Sequence, residues 1–210
     1  MTHEDRMPNP LTGQTERTEN VDRFVKDLVR QEEAEITEVI AVMSYIPSIG
    51  RVLQKGSVQK FRRLATRLVA DLRKGHGRAN FDRLHETYTR RVIGNFATAR
   101  GQTLSYGQAQ KPINVFLKVY VDWSGRPTPA IRRQLLPHLH VPLDSVLMEV
   151  VRKEYPSWHR AAIRPHIRVA SDVDSLRAVT KWQYNKWQAF FRQRYPPKPL
   201  IFDVVWALNR

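Results

Sequence analysis

The chain contains no cysteine among its 210 residues. This absence excludes disulfide bonds, zinc sites with thiolate ligands and iron–sulfur clusters. Glycine is scarce, with 9 residues, and neither of the familiar glycine-rich phosphate loops occurs. The histidines include one close pair, His138 and His140, in a predicted loop. We therefore expect neither a metal ion nor a cofactor.

Long apolar runs are missing too. No stretch approaches the roughly 18 apolar residues that a membrane-spanning helix needs. The first ten residues, MTHEDRMPNP, lack the apolar centre of a secretory signal. The sequence therefore predicts a protein without a membrane partner that stays in the cytoplasm, associated with the nucleoid.

Acidic residues are few beside the basic ones. The chain has 20 Asp and Glu against 35 Lys and Arg, which gives a formal net charge of +15. Arginines occur in nearly every segment after residue 50, whereas the acidic residues concentrate before it. Such a charge favours polyanions, because each neutralised phosphate releases counterions. We expect a nucleic acid rather than a membrane surface or an acidic protein, although a solvated basic surface has the same composition.

The apolar residues recur with helical rather than strand spacing, so an all-α fold is predicted. Residues 1–19 are polar and aperiodic, which indicates a disordered lead-in. Residues 20–210 are predicted to form a single helical domain, built either as one lobe or as two with the site between them, around 105–155. Ser171 is the predicted N-cap of the long helix near the end. The predicted helices cover 20–45, 58–74, 81–96, 112–120, 145–155, 172–195 and 199–210.

Two chemically distinctive residues lie at predicted helix starts between residues 105 and 155. Lys111 precedes Pro112, a residue favoured at the first helical position, and Asp144 immediately precedes the helix SVLMEVVRKEY. Burial and the positive end of a helix dipole would both lower the pKa of the Lys111 amine and make it nucleophilic. A carboxylate that faces such an amine would stabilise the positive charge that develops on a nucleotide's sugar as its bond to the base lengthens. Each residue also has an ordinary explanation, as a helix cap or a surface charge.

These segments resemble the helix-hairpin-helix DNA glycosylase superfamily. Tyr106–Lys111, YGQAQK, is similar to the family's hairpin turn and catalytic lysine, and Val141–Val146, VPLDSV, to the stretch that supplies its aspartate. The spacing of 33 residues between Lys111 and Asp144 is similar to that of the archaeal 8-oxoguanine DNA glycosylase branch, in which an insert separates the two. The resemblance implies a helix-hairpin-helix DNA glycosylase-like fold with Lys111 as nucleophile and Asp144 as its assistant.

The resemblance also implies roles for residues around this pair. Trp206 in FDVVWALNR is similar to the tryptophan that stacks on an extruded base, and backbone N–H groups near Gly107 would hold a phosphate. The predicted base pocket comprises Trp206, Phe202 and Tyr106. The predicted contacts to DNA phosphates are Gly107, Gln108, Lys118, Arg126, Arg132 and Arg133. By composition alone, the aromatic residues would be assigned to the core and the basic ones equally well to a solvated face.

The sequence thus predicts a monomeric DNA glycosylase with AP-lyase activity, which excises a modified or oxidised base from double-stranded DNA after base flipping. The base is either 8-oxoguanine or a bulkier one such as glucosylated hydroxymethylcytosine. The setting is either base-excision repair or antiphage defence. A helical DNA-binding protein without enzymatic activity is the alternative, and a helical module for an acidic protein partner is a third. Pairing of Lys111 with Asp144 distinguishes the first from the others.

Overall fold

The computed structural model describes residues 10–75, 77–167, 169, 172–204 and 208, with side chains from residue 22 onward. The helices are α1 (Pro10–Tyr45), α2 (Ser57–Leu72), α3 (Arg78–Asn95), α4 (Tyr106–Leu117), α5 (Pro129–Leu135), α6 (Ser145–Glu154), α7 (Pro156–Ala162) and α8 (Lys181–Arg194). Short π-helical turns, Ile46–Gly50 and Lys118–Trp123, follow α1 and α4. Further 3₁₀ turns occupy Leu136–His138, Arg164–His166, Leu176–Ala178 and Pro199–Asp203.

The all-α prediction is confirmed. The described residues contain no β-strand, only two isolated antiparallel bridges, Leu53 with Thr98 and Ala97 with Thr103. No helix in the described part of the chain is both long enough and apolar enough to cross a bilayer.

The chain divides into two compact units, with the boundary between Ile36 and Thr37. The first unit, in its described part, is the N-terminal portion of α1, and all the other helices belong to the second. Helix α1 begins at Pro10, within the stretch 1–19 for which a disordered lead-in is predicted, and disorder there stays a prediction. Proline is well placed to open a helix, since its missing N–H would have no partner there. Residues 1–9 lie outside the described residues.

Helix α4 is central to the second unit. It packs against α3 and α8, and the side chains of Ile113 and Phe116 on it are fully buried. On α2, the side chains of Phe61, Leu64, Leu68 and Leu72 are buried. A second apolar cluster joins α6 to α8 and includes Leu147, Met148, Val151, Trp187, Phe190 and Phe191. Each fully buried apolar side chain stabilises the fold by about 1.5–3 kcal/mol. Burial of Ile113 and Phe116 therefore holds α4 firmly in the second unit.

Helix α8 begins nine residues later than predicted, at Lys181. Thr180 and Gln183 form a capping box, in which the Gln183 N–H donates to the Thr180 hydroxyl at 3.2 Å. Asp174, predicted to lie inside the helix, has a left-handed φ of 58°, which a helix does not allow. The cap predicted at Ser171 lies outside the described residues. The predicted terminal helix begins as the 3₁₀ turn Pro199–Asp203.

Candidate active site

Helix α4 carries the predicted nucleophile, and a capping box sets where the helix begins. The Gln108 N–H donates to Ser105 Oγ, and the Ser105 N–H donates to the Gln108 side chain, both at 3.1 Å. The helix therefore begins at Tyr106, and Lys111 lies in its second turn with Pro112 inside the helix. The prediction that Lys111 lies at the helix start is wrong, because the Ser105 cap is stronger than the signal from Pro112. The helix dipole acts mainly within the first turn, so it affects Lys111 less than expected.

The structure brings Lys111 and Asp144 together. Lys111 Nζ lies 3.9 Å from Asp144 Oδ2, and the side chains are 16% and 14% exposed. Asp144 Oδ1 accepts a hydrogen bond from the Leu147 N–H at 2.8 Å, so it caps α6 as predicted. One carboxylate oxygen therefore fixes the side chain while the other faces the amine. Capping and a chemical role are compatible in this residue.

A second pair of charges, Lys118 and Asp203, lies next to the first. Lys118 Nζ forms an ion pair with Asp203, and both side chains are similarly enclosed, with 13% and 15% exposed. The same amine lies 4.3 Å from the centre of the Trp123 ring. Burial raises the pKa of Asp203, and the hydrogen bond from Lys118 partly offsets this effect. We refer to Lys111, Asp144, Lys118 and Asp203 as the lysine–aspartate cluster.

A chain of polar side chains, most of them buried, connects α3, α4 and α8. His140 Nε2 donates to Asp82 at 2.8 Å, and the Tyr184 hydroxyl donates to His140 Nδ1 at 2.6 Å. Asn114 Nδ2 donates to the Tyr184 oxygen at 2.9 Å, and His85 Nε2 donates to Asn114 Oδ1 at 2.6 Å. This direction of donation follows because an ionised Asp82 can only accept. We refer to these five residues as the histidine network.

The histidine network is neutral except at its outer end. Burial lowers the pKa of His140 to about 4, although the hydrogen bond to Asp82 raises it in part. Burial also lowers the pKa of His85 well below its ordinary value. Burial alone would raise the pKa of Asp82, but hydrogen bonds from His140 and Arg192 outweigh it and hold that pKa low. At neutral pH both histidines are therefore uncharged, and the ionised Asp82 faces Arg192 Nη2 at 2.6 Å.

The histidine network is attached to both backbone segments that carry the Lys111–Asp144 pair. Asn114 lies on α4 near Lys111, and its Nδ2 also donates to the Val141 carbonyl at 3.3 Å. Gln188 on α8 accepts from the Val141 N–H at 2.8 Å and donates to the Val141 carbonyl at 2.9 Å. Val141 precedes Asp144 by three residues. These contacts therefore hold the segment with the aspartate against the helix with the lysine.

The backbone N–H groups predicted to hold a phosphate are used within the protein. The Gly107 N–H donates to the Val179 carbonyl at 3.0 Å, and the Gln108 N–H donates to Ser105 Oγ. A Cβ added at Gly107 would lie 2.3 Å from the Leu176 carbonyl oxygen. Because these N–H groups already have partners within the protein, contact of Gly107 and Gln108 with a phosphate stays a prediction. The glycine permits close packing of two backbone segments rather than the approach of a ligand.

Two of the four basic side chains predicted to contact phosphates also have internal partners. Lys118 is held in the second ion pair described above. Arg132 donates to two carbonyl groups of the π-helical turn after α4, both at 3.2 Å, and so caps that turn. For Lys118 and Arg132, which have these partners, contact with phosphates also stays a prediction. Arg126 is half-buried and Arg133 is exposed, and their contact with phosphates stays a prediction.

The aromatic residues predicted for the base pocket have separate surroundings. Tyr106 packs against Tyr184 with 5.2 Å between ring centroids, and it lines a cavity of about 450 Å³ at the outer end of the histidine network. Phe202 packs against the apolar cluster of α6 and α8, immediately before Asp203. Trp206 lies outside the described residues. Tyr106 thus belongs to the surroundings of the histidine network, and the base-stacking roles stay predictions.

Sequence reasoning missed Asp203 and the histidine network. Asp203 interrupts the apolar run LIFDVVW, and a lone carboxylate there is the signal that could have identified it, because burying a charge requires a partner. His85 and His140 lie 55 residues apart and share no motif.

Within the described ranges, no three His, Asp or Glu side chains form a group that could hold a metal ion.

Comparisons with protein-family models, curated proteins and solved structures found no match to this chain. Functional assignment therefore depends on the geometry of the two polar groups and on the charge of the surface.

Proposed function

We propose that this protein is a DNA glycosylase with AP-lyase activity that removes a modified base from duplex DNA. The observation that carries the proposal is the distance of 3.9 Å between Lys111 Nζ and Asp144 Oδ2, in side chains that are mostly enclosed but still reach solvent. The net charge of +15 supports a polyanionic substrate. An amine facing a fixed carboxylate is the arrangement that covalent attack on a sugar carbon requires.

In the proposed reaction, the Lys111 amine attacks C1′ of a nucleotide turned out of the duplex. The bond from C1′ to the base breaks, and the base leaves with that electron pair and takes up a proton. Asp144 accepts the proton that the amine loses and stabilises positive charge on the sugar. The sugar ring then opens to a Schiff base between Lys111 and C1′. Loss of a proton from C2′ expels the 3′ phosphate and cuts the strand.

The proposed substrates are of two kinds. One is 8-oxoguanine, which would place the protein in base-excision repair. The other is a bulkier base such as glucosylated hydroxymethylcytosine, which would place it in defence against phages with modified DNA. The alternative function is non-enzymatic binding to DNA, in which Asp144 serves only as the cap of α6.

Borohydride trapping tests the proposal directly, because it reduces the Schiff base to a stable covalent complex. The wild-type protein should be trapped on at least one duplex from a panel that carries oxidised, hydroxymethylated and glucosylated bases, and on a duplex with an abasic site. Lys111→Gln keeps most of the side-chain length but removes the nucleophile, so its covalent complex and its strand cleavage should disappear.

Lys118→Gln is the matched control. Lys118 has nearly the same exposure as Lys111 and also faces an aspartate, so this variant measures the effect of losing an enclosed ion pair. It should still be trapped. Trapping that survives in Lys111→Gln but is lost in Lys118→Gln would move the nucleophile to Lys118. If no duplex in the panel traps the wild-type protein, DNA binding without catalysis becomes the better description.

A further inference from the structure

We propose that Arg51, Arg100 and Arg177 form a binding site for the backbone phosphates of duplex DNA. The site deepens the proposed function by supplying phosphate contacts other than those predicted at Gly107 and Gln108, whose N–H groups bond within the protein. It requires only that the ligand be DNA, and it does not depend on the chemistry at Lys111.

The three arginines line one open cavity of about 690 Å³. Its lining also includes three hydroxyl side chains and contains no carboxylate. The hydroxyl groups belong to Thr98, Thr103 and Ser105. A cavity of this size with donors on several sides suits an anion with several oxygen atoms, and a phosphodiester is such an anion.

Hydrogen bonds fix the backbone at or next to each of the three arginines. Arg100 lies at the tip of a tight turn, next to Gly101 with its φ of 75°. The Ala99 N–H donates to the Val52 carbonyl at 2.8 Å, which ties this turn to the residue that follows Arg51. The 3₁₀ turn with Arg177 is fastened to the start of α4, because Ser105 Oγ donates to the Leu176 carbonyl at 2.9 Å. The three guanidinium groups are therefore displayed from a fixed frame.

The charges of these arginines are not balanced within the described part of the chain. All three side chains are exposed, and none forms an ion pair with a described carboxylate. Arg152 and Arg192, by contrast, lie 2.8 and 2.6 Å from their aspartate partners. Like charges around one cavity repel each other, so the arrangement gains most when an anion enters. The planar guanidinium group also matches two phosphate oxygens at once.

The start of α4 adds to the positive electrostatic potential of the cavity without donating hydrogen bonds from its backbone. Ser105 and Gln108 line the cavity, so the positive end of a 12-residue helix lies at its wall. The Gln108 N–H is already bound to Ser105 Oγ. The contacts to phosphate therefore come from side chains, and because the arginines carry all the charge among them, substitution of the arginines is a direct test.

The test is the salt dependence of binding to a short undamaged duplex, measured by fluorescence anisotropy. Each phosphate contact contributes about 0.9 to the slope of log K against log salt, so the triple variant Arg51→Gln, Arg100→Gln, Arg177→Gln should flatten the slope by about 2 to 3. Its affinity should fall at least about tenfold at moderate salt. The matching Lys triple variant keeps the charges and should keep the slope.

A second triple variant, Arg63→Gln, Arg67→Gln, Arg160→Gln, removes the same charge from exposed positions outside the cavity. It should change the slope by less than about 1, since it removes only diffuse charge. We call the variant at Arg51, Arg100 and Arg177 the cavity variant. Equal slopes for the two glutamine variants, or a parental slope in the cavity variant, would contradict the proposal that these arginines bind phosphates.

Excision separates this inference from the proposed function. With protein in excess at low salt, where the duplex is saturated, the cavity variant should excise at the parent rate. A reduced rate at saturation, with affinity unchanged, would place the arginines in the chemistry and overturn the backbone-binding role. If the parent protein excises no base, the proposed enzyme fails while the slopes still decide whether the cavity binds DNA.

Discussion

The lysine–aspartate cluster and the histidine network both include residues of α4 and of the segment before α6, but they differ in charge. The cluster encloses two amines and two carboxylates, each 13–16% exposed. In the network, His85, Asn114 and Tyr184 are at most 2% exposed and uncharged. Buried neutral groups cost little when they are hydrogen-bonded, whereas enclosed charges are costly even when paired. The charged cluster therefore carries the larger cost of burial, and the neutral network is the better-satisfied of the two polar groups.

Acid should break the network and give the largest of three effects. His140 has a pKa of about 4 in the folded protein and 6.5 ordinarily. Between these values the unfolded chain binds more protons than the folded one. The free energy of unfolding should therefore be fully retained above pH 6.5 and fall by on the order of 3 kcal/mol as the pH drops to 4. Denaturant titrations at a series of pH values would measure this loss.

The control for this prediction is His140→Gln, which should lose the part of the pH dependence that His140 contributes and keep the part that buried His85 contributes, at the cost of lower overall stability. His138→Gln alters a neighbouring histidine that is not part of the network, and it should keep most of the dependence. A parent protein whose stability is constant between pH 6.5 and 4 would show that the network tolerates a charged histidine.

Loss of the Asp144 charge should have the next largest effect, on the cluster alone. Asp144→Asn should slow single-turnover excision about a hundredfold, because the carboxylate can no longer take up a proton or stabilise the sugar cation. Its melting temperature should change little, since Asn caps a helix about as well as Asp. Asp144→Ala should lose the same activity and a further stability of about 1 kcal/mol. Full activity in Asp144→Asn would reduce this residue to a helix cap.

Removal of one hydroxyl group from the network should have the smallest effect. Tyr184→Phe leaves His140 Nδ1 without its donor and Asn114 without one acceptor, which should cost about 2 kcal/mol of stability. Excision should fall by about tenfold, because a looser network no longer fixes the distance between Lys111 and Asp144. Tyr195→Phe, at a half-exposed tyrosine after α8, should change neither quantity. A stable Tyr184→Phe variant with a reduced excision rate would give the hydroxyl a chemical role.

Parts of this structure follow from local sequence, and other parts do not. The helix over Ser57–Leu72 and the cap at Asp144 were predictable, because apolar spacing and capping act within a few residues. The position of Lys111 within α4 was mispredicted, because two local start signals, at Ser105 and at Pro112, compete. The resemblance paired Lys111 with Asp144 correctly in space.

The histidine network could not be predicted from the sequence at all. Its hydrogen bonds join residues that are 29 to 99 positions apart, such as His85 with Asn114 and Tyr184 with His85. No periodicity or motif links such residues, and each histidine alone resembles an ordinary core or surface residue. Only packing of α3, α4 and α8 against one another makes them partners.

The dependence of the site on α8 has a consequence for biosynthesis. Synthesis proceeds from the N-terminus, so Lys111 and Asp144 leave the ribosome before Gln188, which clamps Val141 from 47 positions further on. In that interval the nascent chain already displays many of its arginines but has no fixed spacing between amine and carboxylate. The spacing between Lys111 and Asp144 is therefore set late in synthesis, by residues that follow both of them in the chain.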